Sequence, residues 1–483
     1  MAEAFSDIML TFKRIRAKFI AGWVSLRVFG SFIRLKPFVG ETPEVRSMER
    51  YRRIALTSLA GMGAKGIAVL TSLISVPLTL HYLGTERYGL WMTASSLIAA
   101  LAFADLGMGN GLVNAIARAH GLNDNSTARK AISSALLMLA GIAAGLLVLF
   151  VAIYPLIPWA KLYGLQTSVA MAEAGPATAV LVVIFLLSMP LGIVQRVQIG
   201  YQQGFQSSAW IACGSIAGLI GVLLAIRCQA GLPWLVFAMA GGPFFVSILN
   251  WGVVFYGSWR NLRPQLALFD WNEARSLAGT GFSFFILQLF AVIGNASDNI
   301  IITQVVGVSA VASYAVTQKL FMSAQVAQYF IAPLWPAFGE AMARQDFEWA
   351  RRTLNRALIW SGLLGLLTAT VLCGFGSVIL TMWVGAAMVP PFSQLLGFGF
   401  WVLLAGYGGV MSSFLNQGNL LRAQVVFYGI ASVVAVILKV VFAREWSATG
   451  VIWATVIGYG LFYVIPAARL ANRHLQKVSH QNI

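Results

Sequence analysis

Charge is scarce in this sequence. Only 10% of its 483 residues are Asp, Glu, Lys or Arg, while 59% are hydrophobic. An ordinary soluble domain carries about 25% charged residues, because water-facing surface must be covered by polar side chains. Cysteine is nearly missing. Cys213, Cys228 and Cys373 lie in or beside apolar runs without CxxC spacing, which excludes a disulfide framework or a cysteine metal site. No GxxxxGK[ST] phosphate loop and no HExxH helix occurs, so ATP hydrolysis and zincin-type proteolysis by this chain are excluded. No repeated arginine pattern marks a voltage sensor. No loop is long enough for a soluble catalytic domain, no cofactor is expected, and the chain reads as a non-enzyme. The first strong apolar run begins only near Ile54, so no secretory signal is expected.

What the sequence does contain is apolar runs of membrane length. About 30 Å of hydrocarbon needs roughly 20 helical residues, and twelve segments qualify. They are 54–80, 88–117, 130–154, 170–195, 206–227, 232–257, 275–305, 309–339, 353–383, 388–416, 421–443 and 448–468. The expected fold is an all-α polytopic membrane protein of about twelve transmembrane helices.

The charges that exist are sorted. The chain has 33 Lys and Arg against 16 Asp and Glu, and eleven of the 33 precede residue 54. No nucleic-acid motif accompanies them, so the basic excess is read as topology. With twelve spans and a cytoplasmic N-terminus, 26 basic residues fall in cytoplasmic segments and five on the other side: Arg87, Lys161, Arg227, Lys439 and Arg444. Lys65 and Lys319 remain inside spans. This is the positive-inside distribution, with both termini cytoplasmic.

The halves resemble each other. ARAHGLNDNSTARKAISSALL from Ala117 aligns with EAMARQDFEWARRTLNRALI from Glu340 at an offset of 222, matching Asp124 with Asp346, Ala128 with Ala350, Arg129 with Arg351 and Leu136 with Leu358. Both copies follow the second span of a six-span half. Six is even, so the two lobes share one orientation and are expected to flank a central cavity. The organisation reads as a basic extension at 1–53, a first six-helix lobe at 54–257, a linker at 258–274, a second lobe at 275–468 and a tail at 469–483. Within the extension, Phe12, Ile15, Phe19, Trp23 and Leu26 alternate with Lys13, Arg14, Arg16, Lys18 and Arg27. That pattern predicts a helix lying on the surface of anionic membrane lipids.

Polar residues inside spans are costly and mark function. Lys65 and Lys319, each near mid-membrane, are candidates for binding an anionic headgroup, with structural ion pairs as the alternative. Asp298 lies at a depth that makes a pair with Lys319 plausible, and Asn295 and Asn299 flank it. Asp105, with Asn110 and Asn114 downstream, is a candidate for ion coupling or a gate. It also suits the cap of a broken helix. Gln195, Gln198, Tyr201 and Gln202 form an amide and aromatic cluster suited to sugars, or to an ordinary interfacial loop. Pro77, Pro190, Pro333 and Pro336 are candidate bends.

Three stretches, HYLGTERYGLW at 81–91, FADLGMGNGLVNAIARAHG at 103–121 and SDNIIITQVVGVSAVASYAVTQKL at 297–320, carry a family resemblance that covers about 50–470. The chain resembles the polysaccharide-transport branch of the multidrug/oligosaccharidyl-lipid/polysaccharide exporter superfamily, to which O-antigen and exopolysaccharide flippases belong. The resemblance implies alternating access in a bacterial inner (plasma) membrane. It also implies translocation of an isoprenoid-pyrophosphate-linked oligosaccharide for surface polysaccharide assembly, with Lys65 and Lys319 matching the cationic cavity residues. Cavity cations are fewer than in the peptidoglycan-precursor flippases, so that substrate is not assigned. A polysaccharide polymerase or export machinery is the expected partner. The competing readings are an ion-coupled drug or organic-cation antiporter, in which Asp105 and Asp298 dominate, and a non-transporting scaffold for polysaccharide enzymes.

Overall fold

Apolar runs separated by short polar turns have one stable form in hydrocarbon, the helix, because it satisfies every backbone N–H and C=O internally. The computed structural model describes residues 35–40, 42–100, 103–325, 327–417 and 420–481. The surface helix expected around Phe12–Arg27 lies outside the described residues.

The first half contains α1 (Pro43–Ala100), α2 (Met108–Gly121), α3 (Asn125–Ile153), α4 (Ser168–Leu191), α5 (Ile193–Gly200), α6 (Gly204–Arg227) and α7 (Leu232–Gly252). The second contains α8 (Trp271–Ile301), α9 (Val308–Ser323), α10 (Ala327–Ile331), α11 (Leu334–Ala343), α12 (Phe347–Val384), α13 (Phe392–Leu415), α14 (Leu420–Tyr459) and α15 (Ile465–Gln481). Among the described residues, nine helices are long and apolar enough to cross a membrane. The protein is an all-α multi-pass membrane fold.

Its surface is apolar where lipid would lie. Leu73, Val148, Leu367 and Phe375 are each more than 60% exposed, an arrangement stable only against hydrocarbon. Hydroxyls within the helices are satisfied locally. Ser58, Thr79 and Ser188 donate to the carbonyls four residues before them, at 2.7–2.8 Å. Polar caps start helices at the turns. Asp124 accepts from Thr127 N at 3.0 Å, Asp346 from Trp349 N at 3.3 Å, and Asp270 from Asn272 N at 2.9 Å.

Several predicted spans are interrupted. α1 begins eleven residues before Ile54 and runs through the first turn, with its break at Gly84 (φ 74°). The stretch predicted as one helix over 88–117 is divided by a turn at 103–107 before α2. The span expected at 309–339 consists of α9, α10 and α11, the last starting behind Pro333. Proline removes an N–H and clashes with the preceding turn. The last two predicted spans are joined in α14, with a break at Trp446 and Ser447.

The internal repeat is visible in the backbone. Left-handed residues recur in corresponding turns: Gly84 and Gly307, Asn123 and Gln345, Gly164 and Gly385, and Gln229 and Ser447. The members of these pairs are 223, 222, 221 and 218 residues apart. The turn before each aligned aspartate is built alike, with Asp124 N bonded to Ala119 O and Asp346 N to Ala341 O, both at 2.9 Å.

The halves meet through small residues. A Cβ on Gly111 would stand 3.1 Å from Leu277 O, and one on Gly281 3.0 Å from Met108 N, so α2 and α8 touch backbone to backbone. A Cβ on Gly339 of α11 would stand 3.0 Å from Ala117 Cβ of α2. Such close approach maximises dispersion contact where lipid supplies no hydrophobic drive.

Candidate functional site

These contacts bring polar residues of both halves together at the end that carries most of the arginines. Glu340, near the end of α11, is 5% exposed and is the centre of the cluster. Its Oε2 accepts from Arg50 Nε at 2.9 Å and Gln202 Nε2 at 2.7 Å. Its Oε1 accepts from Arg344 Nε at 2.7 Å. Arg50, itself 3% exposed, also donates to Asp346 at 2.6 Å and lies 4.8 Å from the centre of the Trp349 ring. Arg344 donates to His120 O and Asn123 Oδ1 across the seam. Asn114 adds a further tie, donating to Asn416 O at 2.5 Å and accepting from Trp335 Nε1 at 2.7 Å. Hydrogen bonds and ion pairs from one half to the other gather at this end, which is thereby sealed.

The charges within the cluster are set by one another. Burial acts most strongly and raises the Glu340 carboxyl, but Arg50, His120 and Gln202 together outweigh it and bring the group down to about 2. Burial lowers His120 to about 4, with Arg53, Arg344 and Arg50 adding to the effect against Glu340. Arg53 Nη1 lies 3.2 Å from His120 Nε2. Arginine can only donate, so Nε2 accepts and the neutral imidazole keeps its hydrogen on Nδ1.

Beside the cluster a groove of about 490 Å³ opens between α1, α6 and the α10–α11 segment. Ile54, Ile211 and Pro333 contribute apolar walls, and Gln328 and Ser208 contribute polar atoms. Arg53 is the cation of this lining, and no Asp or Glu belongs to it.

The residues singled out from the sequence are dispersed. Lys65 and Lys319 are exposed and have no partner among the described residues. Arg53, Thr57, Gly61 and Lys65 recur every fourth residue of α1, so Lys65 continues the face that lines the groove. The expected Asp298–Lys319 pair is not formed. Asp298 pairs with Lys439 of α14, whose Nζ lies 2.5 Å from Oδ1, an ionic contact. Lys439, which the charge sorting assigns to the less basic side, is fully buried and also donates to Gly294 O and Ser297 Oγ. Tyr314 and Gln318 donate to Asp298 Oδ2. They complete the network expected of Asn295 and Asn299. Asn299 is exposed, and the Asn295 side chain lies outside the described residues.

Asp105 takes the capping role. Its Oδ1 accepts from Gly107 N at 2.8 Å where the second span is broken. Asn110 accepts from Arg196 Nη1 at 3.0 Å, so Arg196 is a packed residue as well as a basic one. The glutamine cluster divides. Gln198 is sealed against Asn250 by two hydrogen bonds. Tyr201 is buried, 5.1 Å from the ring of Trp259. Gln202 is committed to Glu340 while lining the groove, and Gln195 is half-buried. In this conformation Gln198 and Tyr201 are closed to any sugar.

Sequence reasoning missed Glu340 and Arg50 because both lie at predicted span ends, where charge is ordinary. The available signal was the aligned Asp124 and Asp346, which placed Glu340 six residues before the repeated capping turn. Among the described residues, no group of three or more His, Cys, Asp or Glu could hold a metal ion.

Comparison with known proteins agrees with this architecture. The family described as "Polysaccharide biosynthesis protein" matches residues 52–342. A protein of Salmonella typhi described as "Putative O-antigen transporter" is 21% identical over 421 residues, 83% of this chain and 93% of that protein. An outward-facing multidrug resistance MATE family transporter of the MOP superfamily has a TM-score of 0.76 at 15% identity, covering 92% of this chain and 100% of that chain. A MOP superfamily transporter from Pyrococcus furiosus has a TM-score of 0.73 at 14% identity, covering 89% and 96%. At these identities the structural likeness concerns the fold.

Proposed function

The chain belongs to the polysaccharide biosynthesis protein family, and from that premise we propose that it is a flippase for an isoprenoid-pyrophosphate-linked oligosaccharide. It is a multi-pass transport protein of the multidrug/oligosaccharidyl-lipid/polysaccharide exporter superfamily, without catalytic function. The proposal concerns the cargo. The observation that carries it is the groove between the halves, with apolar walls, Arg53 as its cation and no carboxylate. Apolar surface suits an isoprenoid chain and arginine suits its diphosphate, whereas an organic cation would be attracted by acidic walls.

In this proposal the breaks in α1 and α14, together with the segmented α9–α11, divide the chain into twelve crossings in two six-helix lobes. The arginine-rich end is cytoplasmic, as are both termini. The Glu340 cluster then closes the cytoplasmic side, and transport requires it to open. Lys65 lies twelve residues beyond Arg53, about 18 Å along the helix, and would receive the diphosphate next, with Lys319 opposite. Reconstituted protein should translocate a labelled polyprenyl-diphosphate oligosaccharide, and Lys65→Ala with Lys319→Ala should slow it at least tenfold. Wild-type flux in the doubly substituted, normally folded protein would remove both lysines from the mechanism.

The second reading is an ion-coupled antiporter for drugs or organic cations. The fold likeness to a multidrug resistance MATE transporter favours it more strongly than it favours a flippase, and the buried Asp298 is available chemistry. Vesicles loaded with a lipophilic cation decide between them. Ion-driven efflux that depends on Asp298 and is indifferent to polyprenyl diphosphate would establish the antiporter. A scaffold would show neither flux.

A further inference from the structure

A second cavity, of about 350 Å³, opens on the arginine-rich face and shares Arg50 and Glu340 with the interlobe cluster. Its lining holds Arg46, Arg50, Arg53 and Arg344 against Glu49 and Glu340, a net charge of +2 with His120 neutral. Arg46 has no side-chain partner among the described residues. The segment 36–40 borders the cavity and is tied down where Phe38 N donates to Glu49 at 3.0 Å.

Arg53 lines both this cavity and the apolar groove. The two spaces have opposite chemistry and meet at one guanidinium. A ligand that fills both has a long apolar chain and a compact anionic head.

We propose that the paired cavities are the loading site for a polyprenyl diphosphate, with the chain in the groove along Gly61 and Ile211 and the diphosphate held by Arg46, Arg53 and the Nδ1–H of His120. The inference rests on the lipid-linked reading of the cargo and adds where its headgroup enters. It also links loading to opening. A diphosphate in the charged cavity competes with Glu340 for Arg50 and Arg344, so occupancy weakens the seal that must break for transport.

The test uses the full-length protein in nanodiscs of phosphatidylcholine, with binding of a fluorescent polyprenyl diphosphate read by anisotropy. Competitors are the polyprenyl alcohol of equal length, inorganic diphosphate and phosphatidylglycerol. Arg46→Ala removes an unpaired charge that the fold does not need. It should weaken the polyprenyl diphosphate and inorganic diphosphate alike by about tenfold, the effect of one charge-assisted hydrogen bond. Gly61→Leu narrows the groove and should weaken only the polyprenyl ligand. Lys161→Ala, at the opposite end, should change neither.

Wild-type affinity in both the Arg46 and Gly61 variants overturns the site. Displacement by phosphatidylglycerol at equal concentration overturns it too, by making it a general phospholipid site. Translocation assays separate this inference from the cargo reading. Normal flux of lipid-linked oligosaccharide in both variants discards the loading site and keeps the flippase. Arginine-dependent binding without any such flux keeps the site and discards the flippase.

Discussion

Glu340 and Asp298 are both nearly sheltered from solvent and both held by cations, yet one joins the two halves and the other lies within the second. Glu340 takes Arg50 and Gln202 from the first half and Arg344 from its own helix. Asp298 takes Lys439, Tyr314 and Gln318, all from its own half. Under the proposed function, in which the halves rock against each other, the first set of bonds would break in every cycle and the second would persist. The same chemistry therefore serves as a latch in one place and as a rivet in the other. The latch is built with redundancy, since Arg50 has Asp346 as a second acceptor. The rivet has one ion pair, between α8 and α14, backed by Tyr314 and Gln318 on the carboxylate and by Gly294 O and Ser297 Oγ on the ammonium.

The largest effect is expected from breaking the rivet. Lys439→Met leaves Asp298 buried without its cation, and removing one partner of a buried pair costs about 3–5 kcal/mol. Thermal unfolding in detergent should show a large loss of stability. The double variant Lys439→Met with Asp298→Asn should recover most of it, because two neutral groups carry no charge-burial cost. If the double variant is as unstable as the single, the pair is not what holds this region.

Loosening the latch should alter shape more than stability. Glu340→Gln weakens three charge-assisted hydrogen bonds, from Arg50, Gln202 and Arg344, of a kind worth about 1.5–3 kcal/mol each, while Arg50 keeps Asp346 as an acceptor. Spin labels at Leu122 and Glu348, in a chain with Cys213, Cys228 and Cys373 replaced by serine, report the separation across the seam. The variant should show a longer, broader distance distribution than the parent, with thermal stability nearly retained. An unchanged distribution accompanied by a large fall in stability would reverse the assignment of the two roles.

The latch should also respond to acid. His120 sits at about 4 in the closed seam and returns to 6.5 once opened to water. The open form then binds more protons between those values, so acidification favours opening. The arithmetic gives about 2 kcal/mol at pH 5. Glu340, at about 2 when closed against an ordinary 4.5, acts in the same direction only at lower pH. The spin-label distance should lengthen between pH 7 and pH 5, and His120→Gln should flatten that response.

The membrane class and the repeat were written in the sequence, but neither the latch at Glu340 nor the Asp298–Lys439 rivet was. Apolar runs disclosed the membrane class because hydrocarbon tolerates nothing else over such lengths. The repeat was legible through Asp124 and Asp346 because both caps serve the same turn. Lys65 and Lys319 read as cations inside spans for the same energetic reason, and both stand exposed on α1 and α9. Lys439 was assigned to the outer side because it lies four residues inside the predicted span end at 443, where a lysine is ordinary, and its partner lies on another helix. The breaks at 103–107 and at Pro333 were open to the sequence, through Asp105 as a possible cap and the proline as a possible bend, but the surrounding apolar text did not require them. Each is held by contacts that composition does not encode, such as the Asp105 carboxylate on Gly107 N and the bond from Trp335 to Asn114 across the seam.

The smallest expected effect offers the finest comparison, because the repeat supplies an internal control. Asp124 and Asp346 cap equivalent helices, α3 and α12, at equivalent turns. Asp346 alone also accepts from a residue of the other half, Arg50, at 2.6 Å. Replacing either by alanine removes a helix cap, so both variants should lose a few degrees of thermal stability. Only Asp346→Ala should also widen the Leu122–Glu348 distance, by less than Glu340→Gln does, since Glu340 still holds Arg50. Equal widening in the two variants would mean that the seam responds to helix fraying in general, and the distinction between cap and latch would then disappear.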